Sequence, residues 1–75
     1  MFEEIKRLLV ECANIDESEI FPDSNLKELG IDSLYAVEMT LELEEYYNIQ
    51  IEWEEMQNVK IVSDVVDLVS KKVGR

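Results

Sequence analysis

At 75 residues, with 47% apolar side chains, the chain has the size and composition of one small folded domain, residues 1–75. Eighteen acids against seven bases give a formal charge of −11, which repels phosphate backbones and argues against nucleic-acid binding. Histidine is absent, which removes Ser-His-Asp and Cys-His catalysis, and the single cysteine, Cys12, excludes an internal disulfide and a Cys/His zinc cluster.

In chain order, Phe2, Ile5, Leu8, Leu9 and Cys12 recur at the i, i+3, i+4 spacing of an amphipathic helix and predict one over residues 2–13. Cys12 falls on its apolar face and is expected to be a small buried hydrophobe. Asn14 to Asn25 reads as a long loop, with Ile15, Ile20 and Phe21 pinning it to the core and Asp16 to Glu19 forming a short capped turn. Leu26 to Leu29 reads as one helical turn stopped by Gly30. Asp32 is an N-cap candidate for a second helix over residues 33–47, ended near Asn48. Ile49 to Trp53 is a second loop anchored by Ile51, Glu54 to Asn58 a short helix, and Ser63 the cap of a last helix from Asp64 to Lys72. Val62, Val65, Val66, Val69 and Val73 keep helical spacing there, and Lys71 and Lys72 suit the negative end of the helix dipole. The expected fold class is all-α: a small four-helix bundle of three main helices and a short third one, with a long first loop. No apolar run approaches the length of a membrane span and the start does not resemble a signal peptide, so a cytoplasmic monomer is expected.

The acids are unevenly placed. From Glu28 to Glu55 there are nine carboxylates and no Lys or Arg. On a wheel of about 100° per residue, Ala36, Met39, Thr40, Leu43 and Tyr47 of the second helix share one arc, with Tyr46 at its edge. Leu34, Val37 and Leu41 fall on another side, with Glu38 and Glu45 beside the two leucines. Either other elements cover this second apolar stripe, or it is exposed and docks on an apolar groove ringed by Lys or Arg. No twelve-residue window has both the alternating oxygen ligands and the sixth-position glycine of a calcium loop, and no metal site is expected.

Ser33 therefore has no resident base. Asp32 is adjacent in sequence, a placement poorly suited to proton transfer. Ser33 is then a first-turn polar residue, or a nucleophile whose base another protein supplies, or an attachment point; a helix start tolerates a phosphodiester well.

The stretch "LGIDSLYAVEM", Leu29 to Met39, resembles the acyl carrier protein signature around its modified serine. The similarity extends to "LELEEYYNIQI", to "VKIVSDVVDLV" and to "IFPDSNLKELG", and so covers nearly the whole chain. The resemblance implies a four-helix carrier with no catalytic residue of its own. Ser33 would receive a covalent 4′-phosphopantetheine arm from coenzyme A, by a separate phosphopantetheinyl transferase, with Asp32 its motif neighbour. Acyl groups would then be carried as thioesters between synthase enzymes of acyltransferase or ketosynthase type that have basic docking patches. Leu34, Tyr35, Glu38, Leu41, Glu44 and Glu45 correspond to the family's partner surface. Tyr35 stands where fatty acid carriers usually have an acid, Ile31 where they often have alanine, and Ile61 where Thr is frequent, near the expected path of the arm. These positions look closer to carriers of polyketide pathways. Trp53 replaces a polar loop residue and is expected to pack. The alternatives are a peptidyl or aminoacyl carrier, which usually has Gly-Gly before the motif where this chain has Gly30-Ile31, and an unmodified acidic helical adaptor.

Overall fold

The computed structural model describes residues 1–74. Four α-helices run in the order α1 (Phe2–Ala13), α2 (Ser33–Tyr47), α3 (Trp53–Gln57) and α4 (Val62–Lys72), with a single 3₁₀ turn, Glu17–Glu19, in the first loop. α1 and α2 begin and end where sequence periodicity puts them. Each ends on an asparagine in the left-handed conformation, Asn14 at φ 54° and Asn48 at φ 55°, which stops the helix at small steric cost. The all-α class is as expected, and the nearest thing to a strand among the described residues is one isolated antiparallel bridge, Asn25 to Ile61.

The core is a single cluster. α1 gives Ile5, Leu8 and Leu9, α2 gives Met39 and Leu43, and α4 gives Val62, Val65 and Val69. The first loop adds Ile15, Ile20, Leu26 and Ile31, while Ile51 and Met56 close the far side. α1 packs on α2 and α4, and the phenol of Tyr47 donates to Glu4 Oε1 at 2.8 Å to tie the start of α1 to the end of α2.

Several local expectations change. Phe21 does not pin the loop. Its amide donates to Ser24 Oγ at 2.8 Å and its carbonyl accepts from Ser24 N–H at 3.0 Å, and this tight turn leaves the ring exposed. Leu26–Gly30 is one turn, closed by Gly30 N–H to Lys27 O at 3.0 Å and Ile31 N–H to Leu26 O at 2.9 Å, with Gly30 at φ 93°. Such a φ favours glycine, because a Cβ there strains the backbone. α3 starts one residue earlier than expected, at Trp53, because the Glu55 carboxylate reaches back to the Glu52 amide at 2.9 Å.

α4 starts at Val62, and Ser63 is not its cap. Loop carbonyls replace a local cap. Val62 N–H donates to Ser24 O at 3.0 Å and Ser63 N–H to Pro22 O at 2.8 Å, satisfying donors that the first turn of a helix leaves open. The Asp64 carboxylate accepts from the amides of Lys60 and Ile61 at 3.0 and 3.2 Å. Those two bonds hold the Asp64 carboxyl below its ordinary range. A depressed folded-state value means stability that is present above the unfolded value, about pH 4, and is lost as pH falls through the folded one. Asp64→Ala should therefore melt at a lower temperature than the parent at pH 7, and the gap should begin to narrow only below about pH 4 and close as pH falls through the lower folded-state value. Thermal melts followed by circular dichroism across that range check this.

Candidate functional site

Ser33 is the first residue of α2 and is exposed. The capping falls to Asp32, whose Oδ1 accepts from the amides of Leu34 and Tyr35, both at 3.1 Å. Asp32 is thus committed to the backbone of its own helix, and Ser33 is left as a presented hydroxyl rather than a cap.

Beside it lies an open cleft of about 690 Å³, and Ser33 forms part of its wall. One side is the N-terminal half of α2, with Ala36 and Met39; the other is α3 with its following loop, including Trp53, Met56 and Val59; the Leu26–Gly30 turn joins them. The Ile31 side chain, buried in the core, underlies the Ser33 end. Trp53 does not pack inward as expected: it is 53% exposed and lines the cleft. Ile61 pairs with Asn25, and its neighbours Val59 and Lys60 make the wall instead.

The second face of α2 is uncovered. Leu34 is 65% exposed and Leu41 59%, with Val37, Glu38 and Glu45 also exposed, so the wheel's second apolar stripe is a real surface feature. Two of the expected partner residues have other engagements. Glu44 is half-buried and its Oε2 accepts the Ile51 amide at 2.8 Å, which holds the loop after α2. Tyr35 is half-buried against the core. Lys27, Lys60 and Met56 were not singled out by sequence reasoning, yet they share the cleft with Ser33. No motif signals them, because residues 27 and 60 reach one cleft only through the pairing of Leu26 N–H with Lys60 O at 2.9 Å.

Cys12 is half-buried rather than buried, and its thiol lies 3.8 Å from Glu38 Oε2. Among the described residues, no group of acids, Cys or His is placed to hold a metal ion, and no helix is long and apolar enough to cross a membrane.

The start of α2 thus presents a serine with no base, beside a cleft and an uncovered acidic-apolar face. Residues 3–69 match the family model described as a phosphopantetheine attachment site. The chain is 34% identical over 75 residues to the acyl carrier protein of Petrotoga mobilis, covering 99% of this chain and 88% of that protein. It is 41% identical over 66 residues to that of Helicobacter hepaticus, covering 87% of each. The crystal structure of an acyl carrier protein from Thermotoga maritima superposes with a TM-score of 0.84 at 27% identity, covering 95% of this chain and 84% of that one. The solution structure of the acetyl actinorhodin acyl carrier protein from Streptomyces coelicolor does so at 0.83 and 27%, covering 97% and 90%. This chain belongs to the acyl carrier protein family. It is a carrier and not an enzyme, and its prosthetic group is a covalently attached phosphopantetheine. The residues present fit that group: the Ser33 hydroxyl is exposed, its acidic neighbour is occupied by the cap, and the adjoining cleft is mainly apolar with two lysines.

Burial, and then the negative charge of Glu38, push the Cys12 thiol above its ordinary value. Less thiolate means slower alkylation. At pH 8, Cys12 should react with iodoacetamide more slowly than a free cysteine, and Glu38→Gln should recover part of the difference. Burial remains in the variant, so recovery is incomplete; stopped-time mass spectrometry measures both rates.

Proposed function

We propose that Ser33 bears the 4′-phosphopantetheine arm, and that the protein acts as a cytoplasmic monomer carrying acyl groups for polyketide, specialised lipid or fatty acid biosynthesis. The observation that carries this reading is the division of labour at the start of α2: Asp32 supplies both capping bonds and Ser33 is presented to solvent beside the cleft. A second observation supports it. α1, α3 and α4 each have an acid in the first turn, and α2 has none, so a phosphodiester on Ser33 would sit at the positive end of the helix dipole with the capping Asp32 as its one adjacent carboxylate. The arm, when bound, supplies a thiol that holds the acyl group as a thioester. The chain's own residues anchor the arm, offer it a cleft, and present a face to the enzymes that load and unload it.

That face is the stripe of Leu34, Val37 and Leu41 edged by Glu38 and Glu45. Its partners are the phosphopantetheinyl transferase and synthase enzymes with basic docking patches. Apolar centres with charged rims give contact area from the centre and steering from the rim. Tyr35 and Glu44 act indirectly in this reading, through the core and the loop after α2. Ile31 and Tyr35 in the motif, which look closer to carriers of polyketide pathways, support polyketide-type cargo in this reading.

Incubation with coenzyme A, magnesium and a broad-specificity phosphopantetheinyl transferase should add one phosphopantetheinyl group, read by intact mass. Ser33→Ala should gain nothing. Addition to the variant would move the site elsewhere, and no addition to the parent with several transferases would favour an unmodified adaptor. Glu38→Lys with Glu45→Lys should leave the far-UV circular dichroism unchanged and slow the modification by about tenfold or more. An unchanged rate would remove the docking role from the stripe.

A further inference from the structure

We infer that the cleft beside Ser33 is an anion-accepting site, in which Lys27 and Lys60 hold an anionic oxygen group carried on the arm: the phosphodiester at its root or a carboxylate of the cargo. This rests on Ser33 as the point of attachment.

The placement of the two lysines is the first argument. They bracket the block from Glu28 to Glu55 that contains nine acids and no base, and they are far apart in sequence. The Leu26 amide bonds the Lys60 carbonyl at 2.9 Å and Asn25 pairs with Ile61, so the two side chains spring from adjoining backbone and line the same cleft.

Neither is tied up in a salt bridge among the described residues, although the charge of Lys60 helps, after the two backbone bonds, to hold the Asp64 carboxyl below its ordinary range. Lys6 pairs with Glu17 at 3.7 Å and Lys72 with Glu55 at 2.8 Å, but among the described residues neither Lys27 nor Lys60 makes an ion pair. The sole acid in the cleft wall is Asp32, whose Oδ1 takes two backbone hydrogen bonds. The cleft is thus locally cationic in a chain of net charge −11, and an anion on the arm finds acids on the α2 face and counter-charge here. Met39, Met56 and Trp53 line it with apolar surface, which lowers the local dielectric and strengthens any charge contact.

The test compares three loaded forms, made by transfer from coenzyme A, acetyl-coenzyme A and malonyl-coenzyme A and verified by intact mass. The parent is set against Lys27→Gln/Lys60→Gln and against Lys71→Gln, an exposed lysine outside the cleft. Two quantities are read against the unloaded protein: the melting temperature, and the emission of Trp53, the chain's sole tryptophan. Far-UV circular dichroism of the unloaded variants verifies their fold.

Loading the parent should raise the melting temperature and shift Trp53 emission at low salt, with both responses shrinking in about 0.5 M NaCl. Both should fall by about twofold or more in the double variant, the scale of exposed ion pairs, and stay at the parent level in Lys71→Gln. Equal responses from all three loads identify the phosphodiester as the anion; a response confined to the malonyl form identifies the cargo carboxylate. Responses that are the same in parent and double variant, absent from every load, or insensitive to salt overturn the proposal. A parent that gains no mass instead overturns the attachment at Ser33, and the anion site with it.

Discussion

The first loop depends on three backbone hydrogen bonds between residues 22–26 and the start of α4. Leu26 N–H meets Lys60 O, Val62 N–H meets Ser24 O, and Ser63 N–H meets Pro22 O, all between 2.8 and 3.0 Å. Each is worth about 0.5–1.5 kcal/mol net, and much more to leave unmade once the groups are shielded from water. Together they turn an irregular segment into a wall. Ile20, Leu26 and Ile31 are carried into the core by it, and α4 begins without a local side-chain cap. The Leu26–Gly30 turn then delivers the chain to Asp32 and Ser33. The cleft is the gap between that wall, α2 and α3, so the site exists only because the loop is stitched to the other end of the chain.

The second organising feature is the distribution of charge. A chain with 18 acids and 7 bases repels itself, and its tolerance of that repulsion comes from where the carboxylates point. Several are used internally. Asp64 holds the amides that lead into α4, Glu55 bonds the Glu52 amide and Lys72, and Glu44 holds Ile51. The hydrogen bond and charge of Lys72 keep Glu55 below the ordinary carboxylate range, and the Tyr47 phenol does the same for Glu4. The acids without such duties, Glu38 and Glu45 among them, face outward around exposed leucines. One composition thus serves both as an internal fastening set and as a surface for association.

Sequence periodicity located α1 and α2 to the residue, and the class of fold with them, because long amphipathic repeats and terminal asparagines are local signals. Asp32 was legible as a cap for the same reason. The starts of α3 and α4 were less so. Trp53 enters α3 because Glu55 reaches back to Glu52, and Val62 opens α4 because carbonyls some 40 residues earlier take its donors. Phe21 looked like an anchor from hydrophobicity alone, but the turn before Ser24 leaves its ring in solvent.

The residues themselves determined that this chain does no histidine-based chemistry, that Ser33 stands at a helix start, and that α2 has two apolar faces. Each follows from composition or from the fixed 3.6-residue repeat. Tertiary structure decided which of those faces is left in water, that Tyr35 and Glu44 turn to internal use, and that Lys27 and Lys60 line one cleft with Ser33. Those outcomes depend on which segments pair across the chain, and the partner of a backbone amide is not written in its neighbours.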